Sequence, residues 1–230
     1  IPWRHTPERV DVYDFVRGWW MDVTQSGLLG PWDTKHNPFN LNACRNEIVR
    51  AAERSQADVV VIVDADVIIN RPFTVLESIT QAHNVGGIHM PFTTQRYCSA
   101  DETKAVLLGH PTASALEGVA VGNGCCYICR PDQWWQMGGA DERFIGWGGD
   151  DDQIVAAAQT FVGLQRHRAV AYSLYHADES RPIGSPAQQR NQRLAQTYWG
   201  AINNQPMMRQ LIDTRPAGWE GTGGYEPSYA

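Results

Sequence analysis

The stretch Asp58-Val-Val-Val-Ile-Val63 places the strongest limit on how this chain can fold. Five consecutive β-branched residues favour an extended backbone. A run that is apolar at every position, rather than at alternate ones, reads as a strand covered on both faces. Such a sheet needs helices above and below it, which is the layered α/β arrangement. The run stops at Asp64-Ala65-Asp66. In open α/β sheets ligands bind beyond the carboxyl ends of the strands, so the chemistry is expected just after Val63.

The rest of the chain supplies the helices. Ile1 to Arg4 reads as the end of a strand. Thr6-Pro7-Glu8 combines a capping hydroxyl, a first-turn proline and an early acid, and Val12, Val16, Trp19 and Val23 continue at helical spacing. Residues 24–39 read as loop. Leu41, Cys44, Ile48 and Ala51 mark a second helix, and further helices are predicted over 73–83 and 152–162. Strands are predicted at 87–92, 118–129 and 168–173, a polar helical pattern at 187–213, and an irregular tail at 216–230. Alternating strands and helices predict a mostly parallel central sheet flanked by helices. The expected division is a catalytic domain over 1–182 and a helical extension with its tail over 183–230.

Composition narrows the function classes. A net charge of −6 argues against a general nucleic-acid binder. No apolar run is long enough to span a membrane, and no signal-peptide pattern is visible. The five cysteines, Cys44, Cys98, Cys125, Cys126 and Cys129, are odd in number and unevenly spaced, so they read as buried thiols rather than a disulfide framework. With no Asn-x-Ser/Thr sequon, they favour a reducing, cytoplasmic setting.

Two clusters carry chemistry. Asp64 and Asp66 offer oxygen ligands suited to Mg²⁺ or Mn²⁺, of the kind that holds a nucleotide through its phosphates. Further on, Gly146-Trp147-Gly148-Gly149 leads into Asp150-Asp151-Asp152. Three successive carboxylates repel one another unless a cation or hydroxyl groups use them. The helix dipole accounts for acids at a helix start, but not for the glycines and tryptophan before them. The glycines allow close backbone approach, and Trp147 offers an apolar face to a sugar ring.

Here the chain resembles a known family. VVVIVDADVII at 59–69 and GNGCCYICRPDQWWQMGGADERFIGWGGDDDQI at 122–154 are similar to glycosyltransferases of the GT-A (Rossmann-like) fold. The similarity is greatest to the group of β-1,4-galactosyltransferases and polypeptide N-acetylgalactosaminyltransferases. Asn42-Ala43-Cys44-Arg45-Asn46 resembles the segment that opens the helix before the Asp-x-Asp strand. Leu174-Tyr175-His176, with Pro182 after it, resembles the late histidine of the metal site. The resemblance departs at Asp150, where the family usually has Glu.

The resemblance implies a metal-dependent transfer of a sugar from a nucleotide diphosphate sugar, a UDP-sugar by preference, to a hydroxyl of a saccharide or protein. Asp66 and His176 would bind Mn²⁺ (or Mg²⁺), with Asp64 on the metal or the ribose. Arg4, Asp33 and Arg45 would contact the nucleotide, and Gly124 would let the donor sugar reach the backbone. Asp150 and Asp151 would meet hydroxyls, with Asp151 as the base if the reaction inverts the anomeric centre. The rival readings are a sugar nucleotidyltransferase, which usually has a glycine-rich basic signature absent around Ile1-Pro2-Trp3-Arg4, a non-catalytic carbohydrate-binding module, and a phosphate or nucleotide hydrolase.

Overall fold

A computed structural model describes residues 1–26, 32–109, 122–176 and 184–215. A single 3₁₀ turn at Pro7–Arg9 leads into α1 (Val10–Thr24), which buries Val12, Tyr13, Val16 and Trp20 at helical spacing. Asn40 caps α2 (Leu41–Arg54) by accepting the Ala43 N–H. There follow β1 (Val60–Val63), β2 (Val67–Ile69), α3 (Pro72–Asn84), β3 (Ile88–Met90) and β4 (Thr94–Tyr97). α4 (Ala100–Leu107) starts on a capping box in which Ser99 and Glu102 satisfy each other's backbone N–H groups. β5 (Cys126–Cys129), α5 (Pro131–Gln136), α6 (Asp150–Phe161), β6 (Leu164–Arg166), β7 (Val170–Ser173), α7 (Pro186–Gly200) and α8 (Gln205–Asp213) complete the order.

The architecture is α/β, but the expected mostly parallel sheet is corrected. The larger sheet has the order β1-β5-β3-β6, and β5 runs antiparallel to both of its neighbours; only β3 and β6 pair in parallel. A smaller sheet has the order β2-β7-β4, with β2 antiparallel and β4 parallel to β7. Burial on both faces reads the same for a strand in either direction, so the apolar runs carried no sign of polarity. Among the described residues, the Ile1–Arg4 segment contributes an isolated bridge, Pro2 to Trp32.

α3 packs on β3 and β5, α2 on β1, α1 on β2 and α6 on β6. Ile62, Ile88 and Ile128 are fully buried between these layers, each contributing roughly 1.5–3 kcal/mol of apolar burial. All five cysteines are free and buried, as expected of core thiols. The polar pattern over 187–213 is two helices, broken at Ala201–Asn204, where the Asn204 side chain caps α8. Both pack against α6. No described helix is long and apolar enough to cross a membrane. The tail after Arg215, the start of the 118–129 segment and Pro182 lie outside the described residues.

Candidate active site

The antiparallel sense of β5 builds the site. Its register pairs Val63 with Cys126, and one step further the Asp64 N–H donates to the Cys125 carbonyl at 2.9 Å. The residues leading into β5 therefore lie beside Asp64, at the carboxyl end of β1. A parallel β5 would have carried them to the opposite end of the sheet. The second sheet works in the same way. Val67 pairs with Ser173, and the Leu174 N–H donates to the Asp66 carbonyl at 2.8 Å. This brings His176 to Asp66 across 110 residues of sequence, with Nε2 and Oδ2 3.9 Å apart.

A cleft of about 1080 Å³ opens over these strand ends. Five aspartates line it: Asp64, Asp66, Asp150, Asp151 and Asp152. Arg45, fully buried on α2, gathers three of them. Its Nη1 donates to Asp150 at 2.8 Å, and its Nη2 lies 3.3 Å from Asp64 and 3.1 Å from Asp151. Burial opposes the charge of Arg45, but Asp151, Asp64 and Asp150 more than reverse this and hold it well above its ordinary range. The acids outnumber the base. Burial, aided by Asp151, pushes Asp150 up to about 7, and burial raises Asp64 to about 6 against the pull of Arg45.

The first turn of α6 carries the three acids where the helix dipole favours them. Gly146, Gly148 and Gly149 all have positive φ, between 79° and 99°, which explains why this turn is written in glycine. A Cβ on Gly149 would also press on the Asn191 carbonyl of α7 at 3.0 Å. Trp147 stands between these glycines, 42% exposed at the cleft.

Arg45, expected to contact the nucleotide, lines the cleft with its Nη groups on carboxylates and Asn42. Gly124, expected to admit a donor sugar, has the Asp151 carboxylate against its side-chain position. A Cβ there would lie 2.0 Å from Asp151 Oδ2. Arg4 and Asp33 were read as separate nucleotide contacts; they bind each other through Nε and Nη2 at 3.0 and 2.8 Å. Asp150 lines the cleft with its Oδ2 held by Arg45, whereas Asp151 is the more open of the pair, with 34% of its side chain exposed.

Sequence reasoning missed the residues that hold this floor in place. The Tyr127 hydroxyl donates to Asp151 Oδ1 at 2.8 Å. Burial, reinforced by Asp151, holds that phenol well above its ordinary pKa, so it remains a donor. Asn123 donates to Asp152 at 2.8 Å and accepts from Arg166, which also binds the Gly122 carbonyl. A tyrosine inside a buried strand carries no signal of such a role.

Oxygen and nitrogen donors each roughly 2.0–2.2 Å from one ion can span the 3.9 Å between Asp66 and His176. Among the described residues no three His, Cys, Asp or Glu side chains converge tightly enough to cage a metal by themselves. The donor chemistry thus fits a divalent cation held by two protein ligands and completed by phosphate and water.

No family model and no curated protein matches the chain. Solved structures do. The catalytic domain of Drosophila β1,4-galactosyltransferase 7, in complex with xylobiose, matches with a TM-score of 0.50 at 13% identity, over 83% of this chain and 76% of that one. The chain has the fold of a galactosyltransferase catalytic domain. A mutant of the same enzyme, in complex with manganese, UDP-Gal and xylobiose, matches with a TM-score of 0.43 at 15% identity, over 72% of this chain and 61% of that one. At these identities the likeness is one of fold.

Proposed function

We propose that this protein is a metal-dependent glycosyltransferase that moves a sugar from a UDP-sugar to an acceptor hydroxyl, with inversion at the anomeric carbon. The observation that carries the reading is the acidic cleft at the strand ends of a galactosyltransferase fold, where Arg45 gathers Asp64, Asp150 and Asp151 beside the Asp66–His176 pair. Such a floor repels a diphosphate unless a cation comes with it. Asp66 and His176 would hold Mn²⁺ or Mg²⁺, and Asp64 would face the ion or the ribose. When bound, the ion supplies Lewis-acid stabilisation of the departing diphosphate.

The chain's own residues do the rest. The Tyr127 hydroxyl donates to Asp151 Oδ1, and Arg45 is ion-paired with the same oxygen at 3.1 Å, which fixes the carboxylate and leaves Oδ2 for the acceptor proton. As the acceptor oxygen bonds to the anomeric carbon, the bond from that carbon to the phosphate oxygen breaks, and the acceptor's proton passes to Asp151. Trp147 covers the apolar face of a sugar ring. Asp150, held by Arg45, keeps the guanidinium in position.

Calorimetric titration of UDP with Mn²⁺, with EDTA, and into Asp66→Ala tests this. The expected outcome is binding that needs both the metal and Asp66. UDP binding that ignores both would remove the proposed metal site. Absence of binding to UDP, GDP and other nucleotides would leave a carbohydrate-binding module.

A further inference from the structure

Opposite in chemistry to the carboxylate floor is the wall formed by α7. Gln188, Gln192, Ala195, Gln196 and Trp199 line the cleft, and at 3.6 residues per turn they fall on one stripe of the helix. At 1.5 Å per residue the stripe is about 16 Å long, more than one sugar ring requires. The arginines of this helix, Arg190 and Arg193, fall outside it by the same spacing.

The wall is held firmly. Buried Tyr198 donates to Asp141 Oδ2 at 2.8 Å, and Asn191 donates to the Ile145 carbonyl at 3.1 Å, just before the Gly146–Gly149 turn. Above these anchors Gln192 and Gln196 are exposed. Their amides are not engaged by any described residue, and Trp199 is 37% exposed beside them.

An amide presents a donor and an acceptor side by side, which matches vicinal hydroxyl groups. An indole covers the apolar face of a pyranose ring. The stripe has no cation to attract an acid, and Asp151 and Asp152 below it disfavour one.

We infer that this stripe of α7 is a binding subsite for a neutral oligosaccharide, holding sugar units beyond the one that reacts at Asp151. The inference rests on the transferase reading for which unit reacts, and narrows the acceptor from a saccharide or protein to an extended neutral glycan.

The test reads wild-type protein, with Mn²⁺ and UDP present, on an array of neutral mono- to tetrasaccharides and on an array of Ser/Thr peptides. At least one glycan of two or more units is expected to bind about tenfold more tightly than its monosaccharide. Trp199→Ala and the double variant Gln192→Ala/Gln196→Ala are each expected to reduce that binding about tenfold. The exposed glutamine pair carries the test should Trp199→Ala fail to fold, judged by circular dichroism. Retention on peptides alone, glycan binding unchanged in both variants, or no glycan retained would each overturn the subsite. Glycan binding through α7 by a protein that binds no nucleotide would instead sink the transferase reading and leave the subsite standing.

Discussion

Two buried ion clusters flank the Gly146–Gly149 turn, and their charge balances are opposite. At one, a single acid meets two bases: Asp141, 1% exposed, is bonded by Arg143 at 2.7 Å, lies 3.7 Å from Arg215, and accepts the Tyr198 hydroxyl. Burial alone would raise its pKa, but Arg143 and Arg215 outweigh burial and hold it below the ordinary carboxylate range. At the other, a single base meets three acids, and Asp64 and Asp150 are pushed up. In the first cluster the one acid is fully met, and its bond from Tyr198 fastens α7 to the body of the protein. In the second the acids outnumber the base, the balance that the proposed cation would redress.

The largest expected effect comes from removing the lone base. Arg45→Met leaves three carboxylates facing one another, and loss of one partner from a buried ion cluster costs roughly 3–5 kcal/mol. Urea unfolding measures it. Arg45→Lys should recover little, because one ammonium cannot reproduce the divided geometry that reaches three acids. Equal stability in Arg45→Met and wild type would break the comparison.

Next is Asp141→Asn, expected to cost about 2–3 kcal/mol by leaving two part-buried guanidinium groups without their carboxylate. The pH dependence distinguishes the clusters further. A lowered carboxylate contributes stability that is present above its unfolded value of about 3.9 and is lost as pH falls through its folded value. Asp141→Asn should therefore remove part of the acid sensitivity seen below about pH 4 in unfolding curves.

Asp150 has the reverse sign. Its carboxyl is raised to about 7, so its contribution is complete below about pH 3.9 and is lost as pH rises through about 7. Metal-free wild type should lose roughly 1–2 kcal/mol between about pH 5 and 8 from this group, and Asp150→Asn should flatten that slope. An unchanged slope would mean that Asp150 is already ionised against Arg45.

These clusters also show what the sequence could disclose. Asp64 and Asp66 were legible because a buried strand ended on them, and the segment at 146–149 because its glycines ran into a row of acids, although those glycines were read as room for a ligand and not as the positive-φ turn they form. The helix starts at Pro7, Asn40 and Pro72 follow capping and proline rules. What was hidden depended on strand direction. The reversal of β5 aligns Gly124 and Tyr127 with the acids of α6, and no periodicity carries that information. The place of Arg45 was visible, but its three ion pairs were not, because the carboxylates that meet it are distant in sequence and converge only in the fold. The pairing of Arg4 with Asp33 was missed for the same reason: each was read alone.

The smallest effect on stability, and the sharpest test of the site, is Gly124→Ala. Gly124 does not adopt the positive φ that would require glycine on backbone grounds, and the nearest group the added methyl meets is the Asp151 carboxylate, 2.0 Å away. That side chain is one-third exposed and can swing aside, so the stability loss should stay below about 1 kcal/mol. Swinging aside, however, takes Oδ1 from the Tyr127 hydroxyl and from Arg45. With the base displaced, kcat for transfer should fall about tenfold or more while KM for the nucleotide sugar changes little. A glycine that served donor entry instead would show the opposite split, with KM raised and kcat kept. The ratio of the two parameters thus separates room made for Asp151 from room made for the sugar.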